Sequence, residues 1–194
     1  MTSVDRSNYH ANPEKYSDSP DLIGFNATIS APHMHAFALE SMLPYLKPDS
    51  RVLDVGSGSG YLSACIASLL GENGVVVGID HIPGLVEQSM KNVRRDGKEE
   101  WLKSGKLQLL IGDGYQGYEK LKPYDVIHVG AAAKEIPKAL VDQLALGGIL
   151  IIPVGHYQQF MTLITKDQDG KLREKKSLAV RYVPLTSADE QLRE

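Results

Sequence analysis

Cysteine is nearly missing from this chain: Cys65 stands alone in 194 residues. A single thiol excludes an internal disulfide and fits a reducing compartment, so a cytoplasmic location is the expectation. Metal-ligand spacing is also lacking. There is no His-Glu-x-x-His, and His33 and His35, two apart, would not face one another on a helix, so no metal is expected. No apolar run is long enough to span a bilayer, and no basic-then-apolar segment opens the chain, which excludes a membrane role. A net charge of −3 gives no electrostatic case for nucleic acid. The dinucleotide pattern G-x-G-x-x-G fails as well, because counting from Gly56 puts Tyr61 where its last glycine belongs.

What is present is an ordinary globular composition, 42% hydrophobic and 23% charged, on a length that suits one domain. The expectation is a single domain over 1–194, with an irregular arm at 1–31, an α/β core at 32–154 and C-terminal strands and tail at 155–194. Its centre is Val52 to Gly60, V-L-D-V-G-S-G-S-G, an apolar strand interrupted by Asp54 and followed by Gly56, Gly58 and Gly60. The glycines turn into a helix-periodic segment, Tyr61 to Leu70, with Leu62, Ile66, Leu69 and Leu70 at helical spacing. A strand, a glycine turn and a helix let a ligand lie close to backbone and offer it free N–H groups. A tight turn holding no ligand is the plain alternative.

Before that centre, Met1 to Pro20 reads as irregular and Ile23 to Ala31 as a loop. A helix runs from about Pro32 to Leu46, with Phe37, Leu39, Met42, Leu43 and Leu46 on its apolar face. Ser30, just ahead of Pro32, is placed as a helix N-cap. After the centre, Val75 to Ile79 is a second buried strand ending at Asp80, placed either to accept two ribose hydroxyls or to cap the following helix. Leu107 to Ile111 is a third, followed by Gly112-Asp113-Gly114, where Gly112 admits a planar ring and Asp113 could accept from an exocyclic amine. Tyr124 to Val129 is a fourth, and the small residues Gly130 to Ala133 leave open space beyond it. A helix near Pro137 to Leu144 leads to a fifth strand, Ile149 to Val154. Phe160 to Thr165 and Leu178 to Val183 follow as antiparallel additions. The fold class is therefore α/β, doubly wound, with a mostly parallel sheet.

The D-V-G-S-G-S-G stretch resembles the first motif of the Rossmann-like S-adenosylmethionine-dependent methyltransferases. Further segments narrow the resemblance: I-G-F-N-A-T-I-S-A-P-H-M-H-A at 23–36, G-I-D-H-I at 78–82, Y-D-V-I-H-V-G-A-A-A at 124–133 and Y-V-P-L-T at 182–186. Together they are similar to the protein-L-isoaspartate (D-aspartate) O-methyltransferases of the animal type, from about Asp5 to the last residues. The resemblance implies methyl transfer from S-adenosylmethionine to isoaspartyl residues of damaged proteins and peptides, leaving S-adenosylhomocysteine, by a monomer. It implies Ser30 as the active-site serine, orienting the substrate carboxylate. Cofactor contacts carry over onto Ala27, Thr28, Ile29, Ser30, His35, Asp54, Gly56, Ser57, Gly58, Asp80, His81, Gly112, Asp113, Thr186 and Gln191. Val129, Ala131, Ala132, Ala133, Val183 and Leu185 are expected to flank the peptide. Family members carry a further, largely helical segment before the match, and its absence here leaves a cofactor-binding but inactive chain as one alternative; a methyltransferase of another small molecule, or of nucleic acid, on the same fold is the other.

Overall fold

The computed structural model describes residues 3–193. A short 3-10 turn, Arg6–Asn8, is followed by a two-stranded antiparallel hairpin, β1 (Asp21–Gly24) and β2 (Ala27–Ile29), and then α1 (Pro32–Met42). Next come β3 (Arg51–Val55), α2 (Tyr61–Leu69), β4 (Val75–Asp80), α3 (Pro83–Arg95), α4 (Glu99–Lys103) and β5 (Leu107–Ile111). The chain continues through β6 (Tyr124–Val129), α5 (Lys138–Gln143), β7 (Leu144–Val154), β8 (Gln159–Lys166), β9 (Leu172–Val180) and α6 (Ala188–Gln191).

The main sheet runs β5-β4-β3-β6-β7-β8-β9, parallel from β5 through β7 and antiparallel for the last two strands. Because side chains alternate across a strand, the apolar runs of β3, β4 and β6 fill both faces, as a parallel sheet covered twice requires. Val52, Val76 and Val126 pack with α1, α2 and α3 on one face. Leu53, Val77 and Ile127 pack with Leu140 of α5 on the other. The chain winds outward from β3 to β4 to β5, then returns to place β6 on the other side of β3. Ligands of open α/β sheets bind at the carboxyl end of such a reversal.

The 3–20 region is irregular apart from its 3-10 turn, as expected, with Val4, Arg6, Tyr9 and His10 buried. Other expectations change. The segment before α1 is a hairpin, not a loop, turning through Phe25 and Asn26 at φ 53° and 54°. The α1 helix stops at Met42 and tightens into a 3-10 turn at Leu43–Tyr45, because Pro44 has no N–H to continue it; Leu43 is therefore exposed. Leu69 is exposed too, at the last turn of α2. A short helix, α4, follows α3, and β7 begins at Leu144, ahead of the expected Ile149. The last strand spans Leu172–Val180, so residues 181–183 lie beyond it.

Candidate functional site

The glycine turn after β3 is shaped by backbone angles that favour glycine. Gly56, Gly58 and Gly60 have φ of +72°, +50° and +81°. Gly56 and Ser57 both donate to the Ile79 carbonyl (2.9 and 3.0 Å), and Gly58 N–H donates to Asp80 Oδ2 at 3.1 Å. Asp80 Oδ1 accepts from Ile82 N–H at 3.0 Å. The carboxylate thus braces the turn and the start of α3, while each oxygen keeps a lone pair for a further donor, enough for a vicinal diol. Burial pushes its pKa up, against the two backbone N–H groups that pull it down. Asp80 faces a cavity lined also by Ala27, Gly56, Gly58, His81, Gly112 and Gly130. A Cβ at Gly130 would come within 3.0 Å of the Gly56 carbonyl, and one at Gly112 within 3.2 Å of Ile79, so the cleft walls are bare backbone for want of room.

Asp113 stands apart from that cavity wall. It is exposed, and its Oδ1 accepts from Tyr115 N–H at 2.9 Å in an Asx turn. The C-terminal tail closes the same cavity. Ser187 caps α6 with a capping box to Glu190, which also bonds Thr186 Oγ1. Gln191 is held three ways: Oε1 to His81 Nε2 at 2.7 Å, Nε2 to the Phe25 carbonyl at 2.8 Å, and its own carbonyl to Asn26 Nδ2 at 2.9 Å. The hairpin tip therefore clasps the tail across the cleft.

A second, enclosed cavity lies under the glycine turn, lined by Thr28, Ser30, His35, Asp54, Ser57 and His128, among others. Asp54 is 1% exposed and satisfied internally, accepting from Ser63 Oγ (2.5 Å) and meeting His128 Nδ1 (2.8 Å). A carboxylate only accepts, so the His128 proton sits on Nδ1 and its other nitrogen offers a lone pair to the cavity when the ring is neutral. Ser57 Oγ is buried without a partner among the described residues. In the same lining, His35 Nδ1 meets Arg6 Nη1 at 3.3 Å, and burial, with the Arg6 charge next, pushes its pKa down to about 3. The lining thus carries both an acceptor and donors, as the two ends of a zwitterion require.

Ser30 joins this cavity to the surface. It lines the enclosed cavity and also an open groove of about 800 Å³ bounded by His33, Met34 and the 178–183 segment. Ala31, not Ser30, is the N-cap of α1, and no side chain caps that end, so the Ser30 hydroxyl is not spent on the helix. Burial raises the nearby Tyr182 phenol to about 12, and the Ser30 hydroxyl pulls it back. Val183 lines both the first cavity and the groove. It is tied to the β6 end by Ala132 N–H to the Val183 carbonyl and Leu185 N–H to the Ala132 carbonyl, both 2.8 Å. Ala131 lines the first cavity and Leu185 two adjoining ones. Val129 and Ala133 do not reach the mouth, since both are fully buried in the sheet core. Arg6, His128 and Tyr182 went unnoticed as site residues in the sequence. His128 could have been found from its strand position opposite Asp54 in register, whereas Arg6 had no local signal.

Comparison with known proteins agrees with this geometry. The family model described as Protein-L-isoaspartate(D-aspartate) O-methyltransferase (PCMT) matches residues 1–190. Protein-L-isoaspartate O-methyltransferase 1 of Arabidopsis thaliana is 51% identical over 194 residues, 100% of this chain and 84% of that protein. The Caenorhabditis elegans protein-L-isoaspartate O-methyltransferase is 50% identical over 192 residues, 98% of this chain and 84% of its own length. A Plasmodium falciparum crystal structure described by the same enzyme name, in complex with S-adenosyl-L-homocysteine, superposes with a TM-score of 0.88 at 41% identity. It covers 96% of this chain and 88% of that one. The cleft at the β3 reversal, the serine between cavity and groove and these matches together place the chain in the protein-L-isoaspartate(D-aspartate) O-methyltransferase family.

Proposed function

We propose that this chain transfers a methyl group from S-adenosylmethionine to the free α-carboxylate of L-isoaspartyl and D-aspartyl residues in damaged proteins and peptides, starting their repair to ordinary aspartyl. The observation that carries this is the position of Ser30, whose residue borders both the enclosed cavity and the peptide-sized groove. The cleft fits an adenosyl amino acid on its own evidence: glycine walls where a Cβ would clash, and a buried, unpartnered Ser57 hydroxyl in the narrower end.

When bound, S-adenosylmethionine supplies a sulfonium-activated methyl that passes to a carboxylate oxygen. A carboxyl group of pKa near ~4 is ionised at neutral pH, so the protein needs no general base. Its work is to bind, orient and exclude water. Asp80 accepts ribose hydroxyls, with His81 and Gln191 closing over that end. Gly112 and Gly114 pass along the adenine, with Asp113 at the rim and Thr186 on the tail side. Thr28, Ile29, Gly56, Ser57, Gly58 and His35 surround the amino-acid end, with Asp54 acting through His128. Ser30 donates its hydroxyl to the incoming carboxylate, and Ala131, Val183 and Leu185 guide the peptide. The reading extends to a cytoplasmic location, for which the lone, buried thiol of Cys65 is the support, and to a monomer, for which the family resemblance is the support.

The test is transfer of labelled methyl to a peptide carrying isoaspartate, beside its ordinary aspartyl counterpart. Transfer to the first and not the second is expected. Ser30→Ala should lower turnover at least about tenfold, as loss of a hydrogen bond to a charged group would, while leaving S-adenosylhomocysteine affinity unchanged. Equal labelling of both peptides, or unaltered turnover in the variant, would contradict the reading.

A further inference from the structure

Arg6 is a cation buried where no anion answers it. It is 4% exposed, and its Nε has no hydrogen-bond partner among the described residues. No ion pair involves it among those residues; Asp21 and Asp18 act on it only from a distance. A charge left this way is costly unless something nearby needs it. What it touches is specific. Nη2 donates to the Ser30 carbonyl at 2.9 Å, Nη1 faces His35 Nδ1 at 3.3 Å, and the guanidinium lies over the Tyr61 ring, 5.4 Å from its centroid. The residue is delivered there by a clamp on Asp96. Asp5 N–H, Asn8 Nδ2 and Tyr9 Oη all reach that carboxylate, at 3.2, 2.8 and 3.2 Å, and Lys98 pairs with it at 2.8 Å.

An arginine only donates, so the His35 Nδ1 beside it must accept, and the ring's single proton is forced onto Nε2. His35 lines the enclosed cavity, and its Nε2 has no protein partner among the described residues. The ring therefore offers the cavity an N–H, backed by a fixed positive charge. The unpartnered Ser57 hydroxyl is a second donor on the same cavity. Asp54 and His128, of opposite character, line the same cavity.

We infer that Arg6 is a positioning residue for the methyl donor: by fixing His35 as the Nε2–H tautomer and anchoring the Ser30 carbonyl, it prepares the enclosed cavity for the carboxylate of the donor's amino-acid end. This rests on the proposed use of the cleft for an adenosyl amino acid. It adds a contribution from the 3–20 region, on which no site residue had been placed. It also separates two ligands that share an adenosyl thioether and differ in the amino-acid end: S-adenosylhomocysteine carries its ammonium and carboxylate, and 5′-methylthioadenosine carries neither.

The experiment is calorimetry of the full chain with each ligand, for the wild type, Arg6→Met and Arg6→Lys. Arg6→Met should weaken S-adenosylhomocysteine binding about tenfold or more, the scale of a lost hydrogen bond to a charged group, with methylthioadenosine held within about twofold. Arg6→Lys should fall between, since it keeps charge and loses the two-pronged reach. Equal weakening for both ligands would mark a role in folding alone and overturn the inference, as would no weakening at all. Should Arg6→Met not fold, the lysine variant decides by the same comparison. Long-range ¹H–¹⁵N spectra of the wild type decide independently: a His35 proton on Nε2 supports the inference and one on Nδ1 overturns it. A wild type that binds neither ligand would instead refute the underlying use of the cleft.

Discussion

At the scale of single residues, the site is a set of polar groups whose partners settle what they present to a ligand. Asp54 and His128 show this, as do Arg6 and His35. In each pair a group that can only accept or only donate dictates which nitrogen of the imidazole carries the proton. His35 also leaves a thermodynamic trace. Burial holds its folded pKa at about 3, below the ordinary histidine value of 6.5, so between these values the unfolded chain binds the proton and the folded chain does not. Stability from this group is complete above the ordinary histidine range and is lost as pH falls, at about 1.4 kcal/mol per pH unit. Urea titrations between pH 7.5 and 5 should show this slope in the difference between wild type and His35→Gln. Parallel pH curves for the two would show that His35 is not held neutral. The sequence could show that His35 belongs to a family motif; it could not show the tautomer, because Arg6 lies 29 positions away.

At the scale of elements, legibility followed side-chain pattern. The five parallel strands were readable because their apolar runs are buried on both faces. The β1–β2 hairpin was not, since its turn uses Phe25 and Asn26 in the left-handed region in place of an Asn-Gly or Gly-Gly pair. The start of β9 was hidden for a different reason. Leu172 to Ser177 lies exposed at the sheet edge, so charges on both faces erase the alternation that marks a strand. The hairpin matters because it carries the clasp. Gln191→Ala removes the side-chain bonds to His81 and to the Phe25 carbonyl, on an exposed helix where little packing is lost. Two ordinary hydrogen bonds contribute about 1–3 kcal/mol together. The off-rate of S-adenosylhomocysteine should rise roughly tenfold. An off-rate equal to wild type would show that the tail does not hold the cleft closed.

At the scale of the whole molecule, the sheet reversal makes one cleft, and four distant parts of the chain complete it. The 3–20 region sends in Arg6, the hairpin sends Thr28 and Ser30, the β6 end sends Gly130 and Ala131, and the tail sends Val183 and Gln191. The strand ends at Asp54, Asp80 and Asp113 were visible in the sequence as three acids in similar places. The structure gives them different work: one positions a histidine, one braces the glycine turn with lone pairs to spare, and one closes an exposed turn. The most direct measurement is a crystal structure of the chain with S-adenosylhomocysteine and an isoaspartyl peptide. The account predicts ribose on Asp80, the homocysteine end beside His35, and the peptide in the 178–183 groove with its free α-carboxylate within hydrogen-bond distance of Ser30 Oγ. A nucleoside bound elsewhere, or a peptide carboxylate remote from Ser30, would contradict it.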